Sequence, residues 1–403
     1  MKILLIPGNN SLSHVAKCAA LEAELSGRGH TVLTAVTCKH ADFVKRLGLA
    51  HTVLPDIQES DDGALPSLDW FKSFELLSVC IQAETELIKA FKPQRVVGVF
   101  RFTLKISTAL LGIPYHAVSC GCMMPDVTEI LGYGPGEEGV ETQALYLDNF
   151  FRFAGRRLAA FMERRRIPPV ADLRELLIGD RTYLWDFPQF MPLPDADNRY
   201  HVGPVLWNGW PQRGEPPDPF PEDGRPLAVI SLGTRRNGHK VADKTARCLM
   251  DCGFNVIFAC AGTPCVPERL LNASQMRCWQ FAPMGELLKR ATLLICHGGQ
   301  MTIFEALLQR VPVLVVPSHP EQAHNGVCVE RIKCGLRLAP PIAFKGDPKA
   351  YADAFNRQPD IDVKEKIIRA ASQGAVTAGL EQARQHLRRY NAVETIADLL
   401  EEG

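Results

Sequence analysis

The sequence predicts an α/β protein built from two facing, doubly wound, Rossmann-like domains with a helical C-terminal tail. Short apolar segments rich in β-branched residues alternate with helical segments, which is typical of parallel sheets covered by helices on both faces. A proline-rich stretch interrupts this alternation once, and the alternation then starts again. The chain has 403 residues, which is long for one domain and ample for two.

The first half of the chain predicts one complete α/β domain, to which we assign residues 1–205. Its predicted strands are Lys2–Ile6, Thr31–Val36, Thr52–Leu54, Arg95–Val99 and Tyr115–Ser119. Its predicted helices are Ser13–Ser26, Lys39–Leu47, Trp70–Phe91 and Leu104–Leu111. Because the strands are short and apolar throughout, we expect them to be buried on both faces.

Residues 206–226 are predicted to form a semi-rigid linker, because the run Pro-Pro-Asp-Pro-Phe-Pro from Pro216 fixes backbone angles and removes hydrogen-bond donors. The second domain is assigned to residues 227–403. Its predicted strands are Leu227–Leu232, Asn255–Cys260, Arg277–Phe281, Thr292–Cys296 and Val311–Val316.

The end of the second half is predicted to be helical. One helix over Glu321–Cys334 is expected to end at Gly335, since glycine favours the left-handed cap position. A longer helical tail is expected over Asp362–Leu400, with bends at Gly374 or Gly379 because glycine is a poor residue for a helix interior. We expect these C-terminal helices to cross back to the first domain.

Composition excludes several classes of protein. The 45 basic and 45 acidic residues give a net charge of zero, so there is no basic excess of the kind that nucleic-acid binding needs. The N-terminal apolar run is too short for a signal peptide, and a cytoplasmic location is expected. Most of the 13 cysteines lie in apolar patterns, where they behave as small buried hydrophobes. The runs Arg156-Arg157 and Arg164–Arg166 are interpreted as a solvated face; a patch for an anionic partner or a membrane surface is the alternative.

The most informative segment begins at Ile295 and reads Ile-Cys-His-Gly-Gly-Gln-Met-Thr-Ile-Phe-Glu-Ala. An apolar strand here runs directly into two glycines, which allow close approach of a ligand to the backbone. The following helix offers the N–H groups of its first turn, and the positive end of its dipole, to a phosphate. His297 and Thr302 can add hydrogen-bond donors. Glu305 lies one turn after Thr302 on the same helical face, where it can accept hydrogen bonds from sugar hydroxyls.

A second polar loop follows the next predicted strand. Glu321 and Gln322 open the helix after it and together offer acceptors and donors, the mixture that the hydroxyls of a hexose require. An acid that complements the helix dipole is the alternative interpretation of Glu321. Because both loops follow the carboxyl ends of strands, we expect them to lie at one edge of the sheet.

The ordered set of these features resembles a known family. From Phe281 through Gly335 the chain is similar to the nucleotide-sugar-dependent glycosyltransferases of the GT-B fold, most closely the UDP-glycosyltransferase superfamily with the antibiotic and macrolide glycosyltransferases. The segments Ser231–Thr234 and His201–Pro204 extend the resemblance, which in outline covers almost the whole chain and is strongest in the second half. Two methionines depart from the family, which often has Gln in place of Met284 and Asn or Gly in place of Met301.

The resemblance implies a binding site for a nucleotide sugar. Phe281 would stack on the base, His297 and Thr302 would contact the diphosphate, Glu305 the ribose, and Glu321 with Gln322 the donor sugar. The complete implied set is Gly233, Thr234, Phe281, Ala282, His297, Gly298, Gly299, Met301, Thr302, Glu305, Glu321 and Gln322. It also implies that no metal is needed, because the helix dipole, backbone N–H groups and the histidine do that work. No cofactor is implied, because the UDP- or dTDP-sugar is itself a substrate. The Asp195-Ala-Asp197 run resembles a metal-binding motif, but we interpret it as a turn.

By the same resemblance His14 would be the general base that deprotonates the acceptor hydroxyl. An unperturbed histidine, with a pKa of about 6.5, suits this role; a histidine that only packs at a helix start is the alternative. The aspartate that orients this histidine in the family would fall at the end of the Arg95–Val99 strand, where this chain has Val99. Asp126 is the substitute we consider.

Several aromatic and methionine residues of the first half either line an apolar acceptor pocket or belong to the core, since helical spacing fits both interpretations. They are Trp70, Phe71, Phe74, Met123, Met124, Tyr133, Phe150, Phe151 and Phe153.

The sequence therefore predicts an inverting, metal-independent glycosyltransferase that moves a hexose from a UDP- or dTDP-sugar to a hydroxyl of a small-molecule or lipid acceptor. Its expected partners are that donor and acceptor and no nucleic acid; peripheral contact with a membrane stays open, as does the choice between monomer and homodimer. One alternative is a sugar-nucleotide hydrolase or epimerase on the same fold. The other is a non-catalytic, nucleotide-sugar-binding partner subunit, which Val99 favours because it is not a carboxylate.

Overall fold

A computed structural model describes residues 1–8, 11–55, 71–207, 209, 217, 220–233, 238–260, 268–343, 345, 347 and 349–402. The chain divides into two compact units. The first comprises Met1–Thr128, Leu145–Trp207 and Tyr390–Gly403, and the second comprises Glu129–Ala144 and Asn208–Arg389.

The first unit is built on a parallel sheet. Its strands are β1 (Lys2–Pro7), β2 (Thr31–Thr37), β3 (His51–Leu54), β4 (Arg95–Val99), β5 (Tyr115–Ser119), β6 (Arg181–Leu184) and β7 (Arg199–His201). Its helices include α1 (Leu12–Gly27), α2 (Cys38–Arg46), α3 (Phe74–Phe91), α4 (Leu104–Ala109) and most of α5 (Val140–Glu163). The strand order is β3-β2-β1-β4-β5-β6-β7, and all neighbours pair in parallel.

The second unit repeats this plan. Its strands are β8 (Leu227–Ser231), β9 (Asn255–Ala259), β10 (Met276–Trp279), β11 (Leu293–Cys296), β12 (Val313–Val315) and β13 (Gly335–Arg337), in the order β10-β9-β8-β11-β12-β13. Its helices are α6 (Gly238–Asp251), α7 (Glu268–Leu271), α8 (Met284–Leu288), α9 (Gln300–Leu308), α10 (Pro320–Arg331), α11 (Ala350–Arg357), α12 (Asp360–Ala371) and α13 (Gln373–Leu387). A last helix, α14 (Ala392–Glu401), follows.

The predicted fold class is confirmed: the chain forms two parallel-sheet α/β units of the kind predicted, and a helical C-terminal tail is present. The tail is three helices instead of one bent helix, because extended Ser372 separates α12 from α13 and residues 388–391 separate α13 from α14. Among the described residues no helix is both apolar enough and long enough to cross a membrane. The described cysteines are free thiols.

The units do not follow the predicted boundaries of residues 205 and 227 throughout. Glu129–Ala144 groups with the second unit although the chain places it within the first half. Tyr390–Gly403, which contains α14, groups with the first unit, as predicted for the C-terminal helices, whereas α12 and α13 stay with the second. Part of the predicted linker, residues 208, 210–216 and 218–219, lies outside the described residues.

Two glycines have roles other than the predicted ones. Gly335 does not end a helix: it opens β13, where a Cβ atom would lie 1.7 Å from the Val313 carbonyl oxygen, and Lys333 takes the left-handed conformation instead (φ 56°). Gly379 does not bend the tail. It lies inside α13, where a Cβ atom would lie 2.3 Å from the Lys333 carbonyl oxygen. Both glycines permit close approach of backbone.

Helix α14 is fastened to the first unit by polar contacts as well as by its apolar face. Arg28 donates to the Asp398 carboxylate (2.6 Å), and His30 lies 2.6 Å from the Glu401 carboxylate. Ile396 and Leu400 are fully buried. Packing of α14 therefore contributes to the stability of the first unit.

We expect Ile396→Ala to lower the free energy of unfolding by about 2–5 kcal/mol, because it removes a fully buried side chain and leaves a cavity. Ile368→Ala is the matched control: Ile368 is 57% exposed on α12, and its loss should change the free energy by less than about 0.5 kcal/mol. Urea unfolding followed by circular dichroism measures both. Equal effects of the two substitutions would show that α14 does not stabilise the unit.

Candidate functional site

Each sheet reverses its strand order at one point, between β1 and β4 in the first unit and between β8 and β11 in the second. In open parallel sheets, ligands bind beyond the carboxyl ends of the strands at such a point. His14 follows β1, and Gly233 and His297 follow β8 and β11. The predicted site residues of each unit therefore lie at the position that the topology favours.

The loops of the second unit leave the sheet at one level. Cys296 is the last residue of β11 and is in register with Ser231 of β8 and Val315 of β12. The Cys296 side chain faces the core, where burial raises the pKa of its thiol to about 12. The His-Gly-Gly loop thus starts beside the loop that follows β8 and next to the loop that leads into α10.

His297 is held between two glycine backbones. Its Nδ1–H donates to the Ser231 carbonyl oxygen (3.2 Å). A Cβ atom on Gly233 would lie 3.2 Å from the ring, and one on Gly299 would lie 2.7 Å from Nε2. Gly233 has a φ of +74°, which also favours glycine. The ring therefore has one orientation, fixed by backbone atoms on both sides.

The His-Gly-Gly loop is joined directly to α10. Gly298 has a φ of +94°, and a Cβ atom on it would lie 2.6 Å from the Gln322 carbonyl oxygen. The fully buried Asn325 donates from Nδ2 to the Gly298 carbonyl oxygen (2.9 Å). Thus Asn325, which lies within the segment Phe281–Gly335 that resembles the family, connects the loop to the helix that carries Glu321 and Gln322.

The first turn of α9 contains the predicted phosphate and ribose ligands. Its first backbone bond runs from the Ile303 N–H to the Gly299 carbonyl oxygen (3.1 Å), so the N–H groups of Met301 and Thr302 have no partner inside the helix. Both side chains are half-buried, and so is Glu305 one turn later. This helix end can receive an anion through backbone N–H groups and its dipole.

The first turn of α10 contributes polar groups of a different kind. Gln322 accepts two hydrogen bonds through Oε1, from the Ser318 N–H (2.9 Å) and the Ser318 hydroxyl (2.8 Å). Glu321 is half-buried beside it and lies in the first turn after Pro320. The amide of Gln322 thereby closes the loop that precedes the helix, while the helix presents a carboxylate at its start.

The remaining predicted residues lie elsewhere along the same edge or outside the described residues. Phe281 and Ala282 are half-buried in the connection from β10 to α8, and α8 packs on α9. The predicted strand Arg277–Phe281 ends earlier, at Trp279, so Phe281 belongs to the connecting loop. Thr234 lies outside the described residues.

His14 lies in the first turn of α1, whose N-cap residue Ser11 accepts a hydrogen bond from the Ser13 N–H (3.2 Å). Its imidazole is 7% exposed and is surrounded by aromatic rings. The ring centroids of Phe100 and Trp185 lie 5.1 Å and 5.8 Å from it. The Lys17 ammonium lies 4.5 Å from the Trp185 ring centroid, a cation–π geometry.

The two positions considered for a carboxylate partner of His14 are a valine and an aspartate that pairs with an arginine. Val99 is a fully buried β4 residue that pairs with Pro7 and Val118. Asp126 is held by both guanidinium nitrogens of Arg199 (2.8 and 2.9 Å). The hydrogen bonds from Arg199 lower the pKa of Asp126 below its usual range.

The residue after Val99 has a strained backbone that a buried network holds in place. Phe100 has a φ of +54°, which is unusual for a bulky side chain. Next to it, Arg101 donates to the fully buried Glu84 carboxylate through Nε (2.8 Å), and Thr103 donates to the same carboxylate (2.5 Å). Because these bonds fix the residues that follow Phe100, they hold its ring against His14.

Sequence reasoning did not identify Phe100, Trp185 or Lys17. Phe100 directly follows β4, and Trp185 directly follows β6. Both could have been found by asking which aromatic or polar residues come immediately after a predicted strand. Of the aromatic and methionine residues that we proposed for an acceptor pocket, Trp70 lies outside the described residues. The core contains Phe71, Met123, Met124, Tyr133 and Phe151, whereas Phe153 is 46% exposed.

Residues 262–339 match the family described as Glycosyltransferase family 28 C-terminal domain. This range contains the loops after β10, β11 and β12, but not Gly233 or His14. The PGL/p-HBAD biosynthesis rhamnosyltransferase of Mycobacterium bovis is 27% identical over 358 residues, which cover 84% of this chain and 76% of that protein. The NDP-glycosyltransferase YjiC of Bacillus subtilis is 26% identical over 345 residues, which cover 81% of each chain.

Solved structures share the whole fold. The glycotransferase of kitacinnamycin superposes with a TM-score of 0.73 at 17% identity, covering 100% of this chain and 98% of that one. The glycosyltransferase SsfS6 of Streptomyces sp. SF2575, complexed with thymidine diphosphate, has a TM-score of 0.66 at 17% identity, with 100% of both chains covered. At this level of identity the similarity shows the fold.

We expect Gly298→Ala to lower the free energy of unfolding more than Gly253→Ala. Both glycines have positive φ, but a Cβ atom on Gly253 meets nothing within 4 Å, whereas one on Gly298 meets the Gln322 carbonyl oxygen. Gly253→Ala should therefore cost about 1 kcal/mol of backbone strain. Gly298→Ala should cost that strain and, in addition, the free energy needed to displace the loop from α10. Chemical denaturation compares the two. Equal losses would mean that the loop and α10 are not in close contact.

Proposed function

The chain is a glycosyltransferase of the GT-B fold, and we propose that it is inverting and metal-independent and moves a hexose from a UDP- or dTDP-sugar to a hydroxyl of a small-molecule or lipid acceptor. The observation that carries the proposal is the arrangement of Gly233, His297 and Gly298 at the point where the second sheet reverses its strand order. Close backbone approach, a fixed imidazole and two helix starts meet there, which suits a diphosphate.

In this proposal the second unit neutralises the leaving diphosphate with its own groups. The N–H groups of the first turn of α9 and the positive end of its dipole face the phosphate oxygens. Because Nδ1–H of His297 already donates to Ser231, its Nε2 donates to a phosphate oxygen only when the ring is protonated. Glu305 accepts hydrogen bonds from the ribose, and Glu321 and Gln322 bind the sugar hydroxyls. The thymidine diphosphate named in the Streptomyces structure supports the dTDP form of the donor.

The first unit supplies the base. The neutral imidazole of His14 takes the proton of the acceptor hydroxyl, and the acceptor oxygen forms a bond to the anomeric carbon as the bond from that carbon to the diphosphate oxygen breaks. A single displacement of this kind inverts the configuration at the anomeric carbon. The aromatic rings of Phe100 and Trp185 limit the movement of the imidazole and reduce its access to water.

Donor consumption by the full chain tests the reaction. The full chain is needed because Glu129–Ala144 groups with the second unit and Tyr390–Gly403 with the first, so neither half of the sequence contains a complete unit. Mass spectrometry of mixtures with UDP-glucose or dTDP-rhamnose, with and without a pool of alcohol and phenol acceptors, separates the alternatives. Turnover only with acceptor supports transfer, turnover without acceptor would show a hydrolase, and binding without turnover would show a non-catalytic subunit.

We expect Glu305→Ala to weaken binding of the nucleoside diphosphate by about 1–3 kcal/mol, since it removes hydrogen bonds to a charged acceptor. Isothermal titration calorimetry measures this effect. Glu286→Ala on the neighbouring α8, where the carboxylate is 70% exposed and pairs with Lys289, is the matched control and should bind normally. An unchanged dissociation constant together with a large loss of thermal stability would make Glu305 a structural residue.

We expect His14→Ala to reduce kcat by about 10²–10⁴-fold, the usual contribution of general-base catalysis, while the affinity for donor stays unchanged. In the wild-type enzyme the rate should fall on the acidic side, because the imidazolium cannot accept a proton. His51→Ala, on β3 of the same unit, is the control for loss of a histidine. Near-normal turnover of His14→Ala, with an acceptor that does not carry its own base, would show that His14 only packs.

A further inference from the structure

One segment of the second unit comes from the first half of the sequence. Glu129–Ala144, called the strap below, groups with residues 208–389, although strands of the first unit precede and follow it in the chain. The strap contacts α10 and β13, and α10 begins with Glu321 and Gln322. Three sets of contacts make up this junction.

The first contact joins Glu129 to the middle and end of α10. Arg331 donates to both oxygens of the Glu129 carboxylate, and the fully buried His324 lies 3.3 Å from it through Nε2. Burial would lower the pKa of His324, but the Cys328 sulfur and the Glu129 carboxylate raise it to about 9. The junction therefore joins one carboxylate to a guanidinium and to a buried imidazole.

The second contact lies at the first turn of α10. Gly132 has a φ of +89°, and a Cβ atom on it would lie 3.2 Å from the Ala323 Cβ, 3.3 Å from the Tyr351 hydroxyl oxygen and 3.7 Å from the Pro320 carbonyl oxygen. Pro320 and Ala323 flank Glu321 and Gln322 in the sequence. The strap backbone therefore packs against the turn that carries the proposed sugar ligands.

The third contact connects the strap, β13 and α10 through Arg337. Its guanidinium donates to Glu137 of the strap (2.5 and 3.0 Å) and to Glu330 of α10 (2.8 Å). Its aliphatic stem crosses α10 at Gly326, where a Cβ atom would lie 2.7 Å from the Arg337 Cγ. The hydrogen bonds from Arg337 lower the pKa of Glu137, so this carboxylate is charged at neutral pH.

A metal ion is a less suitable explanation of the first contact. The ligand atoms of Glu129, His324 and Cys328 all lie within 4.8 Å of one another, a set that could hold a cation. Arg331, however, donates to both oxygens of the same carboxylate. A cation bound there would lie beside the Arg331 guanidinium. That guanidinium already neutralises the Glu129 carboxylate, which is the charged oxygen ligand of the set.

We propose that the strap positions the donor sugar: through Glu129, Gly132 and Glu137 it holds the first turn of α10 where Glu321 and Gln322 contact the hexose. This inference rests on the proposed function, since it assigns these two residues to the sugar. The contacts of the strap described above are with α10, β13 and Tyr351 of α11, whereas the loops proposed to bind the diphosphate follow β8 and β11. Loosening the strap should therefore weaken recognition of the sugar and leave the affinity for the nucleoside diphosphate unchanged.

Glu137→Gln and Glu129→Gln test the proposal in the full-length enzyme. Both variants keep the shape of the side chain and remove the charge that pairs with Arg337 or with Arg331 and His324. We expect KM for the sugar nucleotide to rise on the order of tenfold, as for the loss of one charged hydrogen bond, with the dissociation constant of UDP or dTDP alone changed less than twofold. Glu381→Gln, which breaks the exposed pair with Arg310 in the same unit, is the control and should change neither.

Equal weakening of sugar nucleotide and nucleoside diphosphate, or no effect on either, would overturn the proposal. Hydrogen exchange of the backbone amides of Glu321–Arg331 provides a second measurement that needs no ligand: exchange should become faster in Glu137→Gln and stay unchanged in Glu381→Gln. Unchanged exchange in Glu137→Gln would show that the strap does not hold α10. If the wild-type chain binds no nucleotide at all, the proposed function fails, while the exchange result still decides whether the strap fixes this helix.

Discussion

The proposed donor site depends on one close contact, between the backbone of residue 298 and the backbone of α10. With a Cβ position 2.6 Å from the Gln322 carbonyl oxygen and a φ of +94°, this residue has to be glycine. Only then can Asn325 reach the Gly298 carbonyl oxygen. That bond sets the distance between the start of α9, which presents N–H groups, and the start of α10, which presents a carboxylate and an amide. The chemistry proposed for the two helix starts follows from this spacing.

The sequence predicted this half of the structure well because its determinants are local. The fold class and the strand-glycine-helix order over residues 295–305 follow from apolar patterns and backbone preferences within about ten residues. The strap could not be predicted in the same way. Glu129 and Arg331 are 202 residues apart in the sequence, and Glu137 and Arg337 are 200 residues apart. The sequence around a single acidic residue in a loop does not indicate which distant residue it pairs with. The same reason applies to Gly335 and Gly379, since each is required by a carbonyl group from a different element.

In the first unit, the position of the candidate base His14 depends on different groups. The resemblance predicts a carboxylate at the position of Val99, but Val99 is buried inside the sheet. The groups around His14 could therefore be identified only from the three-dimensional structure. Phe100 and Trp185 reach it from the ends of β4 and β6. The strained backbone of Phe100 costs free energy, and the buried Glu84 and Arg101 pair offsets that cost by fixing the chain immediately after it.

Buried charge has the same physical role in both units. A fully desolvated carboxylate is costly unless every oxygen is paired, so Glu84 stabilises one loop conformation and strongly disfavours any other. Glu129 and Glu137 do the same for α10, but they are only half-buried, and their pairing energy is correspondingly smaller. The loop at His14 should therefore be the more rigid of the two, and the first turn of α10 the more adjustable. This difference suits the proposed roles, because a general base must be held in one place, whereas a sugar site has to admit and release its ligand in each catalytic cycle.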